Sequence, residues 1–292
     1  AQALNFLIKL NMVRRTSFGL LFLFLLSTFV SWALDLASCE CFFGSAKSAA
    51  REVSRAAKSR ELPAVKSREL RGRTRLYLDT ADEKEWERQL PLGIWDGITT
   101  NPELCRSAGV EVNKQRISCL VRSALEKVDE VMVQAWGGTV ESFVSTGTAL
   151  ASLDPTRVIV KLPLTRTGVQ AAGILRASNV RLCMTACYAQ HQVFTSVGLG
   201  AEFVAPYLGR MCDAGKDGME EVQAMQRIVR GMGAKTRVLV ASIRSPSQLA
   251  MLAASGCDTF TFSPAIADQL FQEPLTIEAA LKFEEAAGTP KE

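Results

Sequence analysis

A lysine stands where the chain is otherwise building a buried strand: Val158-Ile159-Val160 precedes Lys161, and Leu162-Pro163 follows at once. An amine taken out of water is more easily found in its neutral form. A neutral amine attacks a ketone and forms an iminium, which draws in electrons when a neighbouring C–C bond breaks. The same lysine also suits plain charge pairing, with Asp79 or with a phosphate on a ligand, and residue type alone weighs the two uses evenly.

Lys161 is one of a series. Short apolar runs recur at 76–79, 95–99, 131–134, 158–161, 180–185, 203–207, 238–242 and 260–263, each about strand length. Nearly every run ends in a polar side chain: Asp79, then Thr99, Thr100 and Asn101, then Gln134, Lys161, Thr185, Tyr207 with Arg210, and Ser242 with Arg244. One such residue is an ordinary cap or loop contact; a full ring of them is harder to explain that way. Arg210, Ser242 and Arg244 form a candidate anion site, since guanidinium forks and a hydroxyl at a strand-to-helix turn suit phosphate. His191 is the single histidine, so a Ser/His/Asp triad has poor support, and acid–base work falls to Tyr, Thr, Asp and water.

The elements that must position this ring follow from the spacing. Between the runs lie stretches with helical periodicity; over 217–232, Met219, Val222, Met225, Val229 and Met232 share one face, read as core packing. Alternating strands and helices imply βαβ units and a parallel sheet. Eight strands in about 210 residues match a single (β/α)8 TIM barrel, whose strand C-termini converge on one mouth. A doubly wound open sheet is the runner-up, but it calls for a G-x-G-x-x-G turn after the first strand, where this chain has Asp79-Thr80-Ala81-Asp82. The pair Asp213 and Asp217 is read as a turn and helix cap, not a cation loop.

Composition narrows the class. Residues 1–75 hold 13 Lys/Arg against 5 Asp/Glu, leaving 21 against 25 in the remainder. The body is therefore mildly acidic, which argues against a nucleic-acid partner. The eight cysteines make no C-x-x-C pair, so a zinc site is a poor reading, no metal is expected, and buried free thiols are expected. Residues 1–74 read as a targeting leader. Met12 is a candidate start, Arg14 and Arg15 a charged n-region, Phe18–Phe29 an apolar run and Ser31-Trp32-Ala33 a cleavage site, giving a signal peptide over about 12–33 in preference to a retained membrane anchor. The stretch 42–74 is basic and Ser/Ala-rich with KSREL twice, and offers little to build a core. Signal peptide plus basic stretch resembles the two-part leader of plastids of secondary origin, so the expected location is a plastid reached through the secretory route, with secretion or an endomembrane lumen as the alternative. Residues 75–292 form the expected catalytic domain.

In order along that domain, LYLDTAD (76–82), GITTNP (97–102), VIVKLPLT (158–165), EFVAPYLGR (202–210) and VLVASIRSP (238–246) resemble the motifs of the transaldolase family, within it the small fructose-6-phosphate aldolase-like members. The resemblance implies a Schiff-base aldol mechanism without metal or organic cofactor. It assigns the imine to Lys161, proton handling to Asp79, substrate hydroxyls to Thr99 and Asn101, a catalytic water to Thr185 and the phosphate clamp to Arg210, Ser242 and Arg244. Gln134 and Tyr207 stand where true transaldolases carry Glu and Phe, which implies an aldolase releasing dihydroxyacetone and glyceraldehyde 3-phosphate from fructose 6-phosphate. Gly209-Arg210 and DAGKDG (213–218) look more like the pentose phosphate pathway transaldolase, which passes dihydroxyacetone to erythrose 4-phosphate. The family also implies a homo-oligomer, for which the amphipathic segment 274–287 is a candidate docking helix.

Overall fold

A computed structural model describes residues 72–288 of the chain. The expected signal peptide, and all but the last three residues of the leader, lie outside the described residues. From Arg75 the chain alternates strand and helix: β1 (Arg75–Asp79), α1 (Glu83–Gln89), β2 (Gly97–Thr99), α2 (Pro102–Ser107), α3 (Lys114–Leu125), β3 (Glu130–Gln134), α4 (Val140–Ala151), β4 (Val158–Pro163), α5 (Arg166–Ala177), β5 (Leu182–Cys187), α6 (Gln192–Leu199), β6 (Phe203–Pro206), α7 (Leu208–Asp213), α8 (Gly218–Gly231), β7 (Arg237–Val240), α9 (Pro246–Ala254), β8 (Thr259–Phe262), α10 (Pro264–Gln269) and α11 (Pro274–Ala286). The strands pair in sequence order, all parallel, and β8 returns to β1, so the sheet is a closed (β/α)8 barrel. All eight apolar runs of the sequence are strands, with ends displaced by up to two residues.

The loops feeding the helices end in side chains that cap them. Asp82, Asn101, Thr139, Thr165, Asp217 and Ser245 each accept a hydrogen bond from a first-turn backbone N–H. Each such cap is worth about 1 kcal/mol, and together they fix where each helix leaves the barrel. Asp217 is thus the helix cap that the spacing implied. The methionine face of α8 needs one correction. Val222, Met225 and Val229 are buried, but Met232 follows the last turn and is exposed, because the helix stops before its side chain reaches the core.

Side-chain alternation along the strands makes two cores. Outward-facing residues such as Leu78, Val131, Val160 and Val240 pack under the helices. Inward-facing Tyr77, Met132, Ile159, Cys183, Phe203, Ala205 and Leu239 fill the barrel. Burial pushes the Cys183 thiol up to about 12, so it packs as a small hydrophobe. Of the six cysteines among the described residues, Cys105, Cys183, Cys187 and Cys257 are buried and Cys212 alone is exposed.

The N-terminal end of the barrel is closed by charge. Glu130, at the start of β3, accepts from the Tyr77 hydroxyl at 2.6 Å and from Arg181 at 2.8 Å, while Arg181 also grips Glu202 through two bonds of 2.6 and 2.8 Å. Burial pushes the Glu130 carboxyl up, but the bonds from Tyr77 and Arg181 and the charges of Arg181 and Arg75 outweigh it and hold it below its ordinary value. Removing one partner of a buried pair strands the other. Glu130→Ala should therefore lower stability by about 3 kcal/mol in urea unfolding at neutral pH. Because the native carboxyl is depressed, this contribution is complete above the unfolded carboxylate value of about 4.3 and is lost as pH falls through the native one. The gap between wild type and variant should narrow in acid; a gap that widens there would contradict the assignment.

Candidate active site

At the opposite end, the strand C-termini surround a cavity of ≈ 240 Å³ lined by Asp79, Asn101, Lys161, Tyr207, Arg210 and Ser242 among others. Six of the ten residues singled out from the sequence thus meet in one place. Lys161 reaches it from β4 at only 4% exposure, because Val160 and Leu162 on either side are fully buried and the strand cannot slide outward. Its Nζ donates to the Thr100 carbonyl at 3.0 Å. Among the described residues no carboxylate oxygen comes within 4.0 Å of it, so it forms no salt bridge with Asp79.

Asp79 ends β1. It keeps an opening to the cavity but is otherwise walled in by protein, and this burial pushes its carboxyl above the ordinary value against the opposing pull of Lys161, the Thr99 hydrogen bond and Arg210. A carboxyl raised in this way holds and returns a proton more readily near neutral pH. Thr99 is fully buried and does not reach the cavity. Its hydroxyl donates to Asp79 Oδ1 at 2.6 Å and meets the Thr261 hydroxyl at 2.5 Å, so it orients the carboxylate. Asn101 lines the cavity, yet its Oδ1 caps α2 by accepting from the Glu103 and Leu104 amides, which leaves its amide nitrogen as the donor for a ligand.

Thr185 and Tyr207 join at 2.5 Å through their hydroxyls, across β5 and the end of β6. The pairing of β5 with β6 shifts register between Met184 and Cys187, and Ala186 carries φ +56. Thr185 faces inward by alternation from Cys183; the irregularity absorbs one residue just past it and turns Cys187 outward into the helix-covered core. Gln134 is the register partner of Lys161 but faces a smaller neighbouring cavity with Thr100 and Trp136. Ser242 lines the main cavity from a left-handed backbone, φ +59. Arg244 does not line it; its guanidinium is held by Asp213 at 2.8 Å.

The chain matches the model of the Transaldolase/Fructose-6-phosphate aldolase family over residues 76–291. This chain belongs to that family. A probable transaldolase of Exiguobacterium sibiricum is 31% identical over 211 residues, 72% of this chain and 95% of the relative. One of Methanococcus maripaludis is 31% identical over 212 residues, again 72% of this chain and 95% of the relative. Among solved structures, thiamine phosphate pyrophosphorylase from Pyrococcus furiosus gives a TM-score of 0.48 at 18% identity, covering 68% of this chain and 89% of that one. The protein is an enzyme of the aldolase and aldehyde/ketone transferase class.

Three residues of this transaldolase-family site escaped the sequence reading. Thr261 lines the cavity from β8. It sits two residues after the inward Thr259, so alternation along β8 was the signal that pointed to it. Glu103 accepts a hydrogen bond from Arg210 and Tyr188 packs edge-on against the Tyr207 ring beneath it; neither carries a local signal, because their contacts join segments distant in sequence.

Gly209 sets the spacing between α7 and the end of β7. Its N–H donates to the Ser242 carbonyl at 2.8 Å, and a Cβ there would stand 2.4 Å from that same oxygen and 2.5 Å from Arg244 Nε. The arginine can move; the backbone carbonyl cannot without opening the mouth. Gly209→Ala should cost about 1–3 kcal/mol of stability by overpacking. An unchanged urea midpoint would show that the close approach is not a constraint.

Proposed function

We propose that the enzyme is a Schiff-base aldolase acting on fructose 6-phosphate or a near relative, with dihydroxyacetone and glyceraldehyde 3-phosphate as the two halves. The observation that carries this reading is Lys161, 4% exposed on a strand, its Nζ held by a carbonyl oxygen in a cavity shared with Asp79 and Arg210. The Lys161 amine adds to the substrate ketone, and the carbinolamine takes up a proton and loses water to give an iminium. Asp79 removes the proton from the hydroxyl beyond the bond to be broken, that C–C bond cleaves, and its electrons pass into the iminium to give an enamine. Glyceraldehyde 3-phosphate leaves. A water bracketed by the Thr185 and Tyr207 hydroxyls then protonates the enamine, and hydrolysis of the new iminium frees dihydroxyacetone and Lys161.

In this reading Arg210 and Ser242 receive the phosphate, and Arg244 joins them by exchanging Asp213 for the ligand. That exchange is cheap, because both members of the Arg244–Asp213 pair are exposed and such pairs contribute about 0–1 kcal/mol. The second reading is transaldolase, in which the enamine attacks erythrose 4-phosphate instead of taking a proton. Gly209-Arg210 and the 213–218 turn support it, whereas the Thr185–Tyr207 hydroxyl pair, a place to hold water, supports the aldolase.

Borohydride with fructose 6-phosphate should trap a covalent adduct on Lys161 that Lys161→Met abolishes; an adduct surviving that change would sink the assignment. Glyceraldehyde 3-phosphate released without erythrose 4-phosphate identifies the aldolase, and release only with it the transaldolase. The same reading includes a homo-oligomer. On α11, Leu275, Leu281 and Phe283 are 74%, 67% and 70% exposed, apolar side chains that a neighbouring copy would cover. Light scattering should give a multiple of the chain mass, reduced by Leu281→Asp; a monomer at all concentrations refutes it.

A further inference from the structure

Arg210 is the cation at the open side of the cavity, and it is already engaged. It donates to Glu103 Oε2 at 2.5 Å and lies over the Tyr207 ring at 5.4 Å. Tyr188 in turn meets Tyr207 edge-on at 5.6 Å, so the guanidinium rests on a small aromatic platform that aims it across the mouth. Glu103 lines the same cavity from the first turn of α2. Its backbone N–H contributes to the Asn101 cap, but its side chain has no structural duty in the fold: it is 57% exposed and faces an arginine 47% exposed. Exposed pairs of this kind add little to stability. What the carboxylate does is take up the cation that an anionic ligand would need.

We propose that Glu103 is a specificity-determining residue, whose carboxylate competes with a substrate phosphate for Arg210 and so weakens the preference for phosphorylated over uncharged sugars. This inference rests on the aldolase or transaldolase reading of the cavity. A phosphate monoester forms strong charge-assisted bonds to a guanidinium. Here it gains Arg210 only after Glu103 has turned into water, and the displaced carboxylate remains a like charge at the rim. An uncharged ketose or aldehyde leaves the pair intact and meets no such penalty. Lys161 and Asp79 lie on strands β4 and β1, outside the Glu103–Arg210 pair.

The test compares the full chain with its Glu103→Gln variant, using fructose 6-phosphate and fructose as substrates and inorganic phosphate as a ligand in calorimetry. The ratio of kcat/KM for the phosphorylated sugar to that for the free sugar should rise about fivefold, and inorganic phosphate should bind tighter by a similar factor. In an Arg210→Met background the Glu103→Gln change should move neither quantity. Unaltered phosphate affinity in Glu103→Gln would overturn the proposal, and so would equal tightening without Arg210, which would mark a general charge effect. The phosphate arm needs no turnover. Failure of the aldol reading shows separately, as an absence of borohydride labelling on Lys161.

Discussion

Every second residue of eight strands points into the same narrow interior, and that space has to be filled. The barrel meets this constraint with three kinds of chemistry along its axis. Charge occupies the N-terminal end, where Glu130 is tied by Tyr77 and Arg181. Apolar side chains such as Met132, Ile159, Phe203 and Leu239 occupy the middle. Only the C-terminal end is left for groups that would be costly to bury without partners. Tyr77 links the first two levels: its ring packs edge-on against Phe203 while its hydroxyl serves Glu130. The ionic closure therefore holds the floor on which the reactive end is built.

The same constraint accounts for the state of the polar groups at the mouth. Lys161 and Asp79 are placed by strands whose outward neighbours are locked under helices, so neither can retreat into solvent by sliding its backbone. Burial raises the Asp79 carboxyl, and Thr99, itself steadied by Thr261, keeps it aimed. The groups that would meet the outer part of a ligand are built differently. Arg210 and Arg244 stand near the rim, exposed and held by exchangeable carboxylates. A rigid interior for bond making and a yielding rim for binding is what a site needs if it is to be preorganised and still let product leave.

Much of this was legible in the sequence because the relevant signals are local. Strand length, alternation and the polar residue closing each run belong to single segments, and closure of the sheet then gathers them without further information. Lys161, Asp79, Asn101, Tyr207, Arg210 and Ser242 come together for that reason. What stayed hidden depends on contact between distant segments. The Glu103–Arg210 pair spans 107 positions and the Thr99–Thr261 pair 162, and neither partner is unusual where it stands. The role of Thr99 shows the same limit: its type fits a ligand contact, but its full burial turns it toward Asp79. Gln134 is beside Lys161 in register yet opens into another cavity, a difference of side-chain direction that spacing does not encode.

Backbone conformation ties the two halves of the site together. Ala186 and Ser242 take left-handed φ values of +56 and +59, although neither is glycine, and such residues cost of order 1–3 kcal/mol each. Both stand at strand ends. At Ala186 the chain takes up an extra residue just past Thr185, whose hydroxyl meets that of Tyr207, and at Ser242 it bends so that the carbonyl meets Gly209 while the side chain faces the cavity. Tyr207 belongs to both arrangements, bonded to Thr185 on one side and lying under Arg210 on the other. Two of the three left-handed non-glycine residues among the described residues thus stand at the strand ends that flank the Thr185–Tyr207 hydroxyl pair and Arg210. Relaxing either bend would restore regular strand geometry there and separate the groups that this end of the barrel exists to hold together.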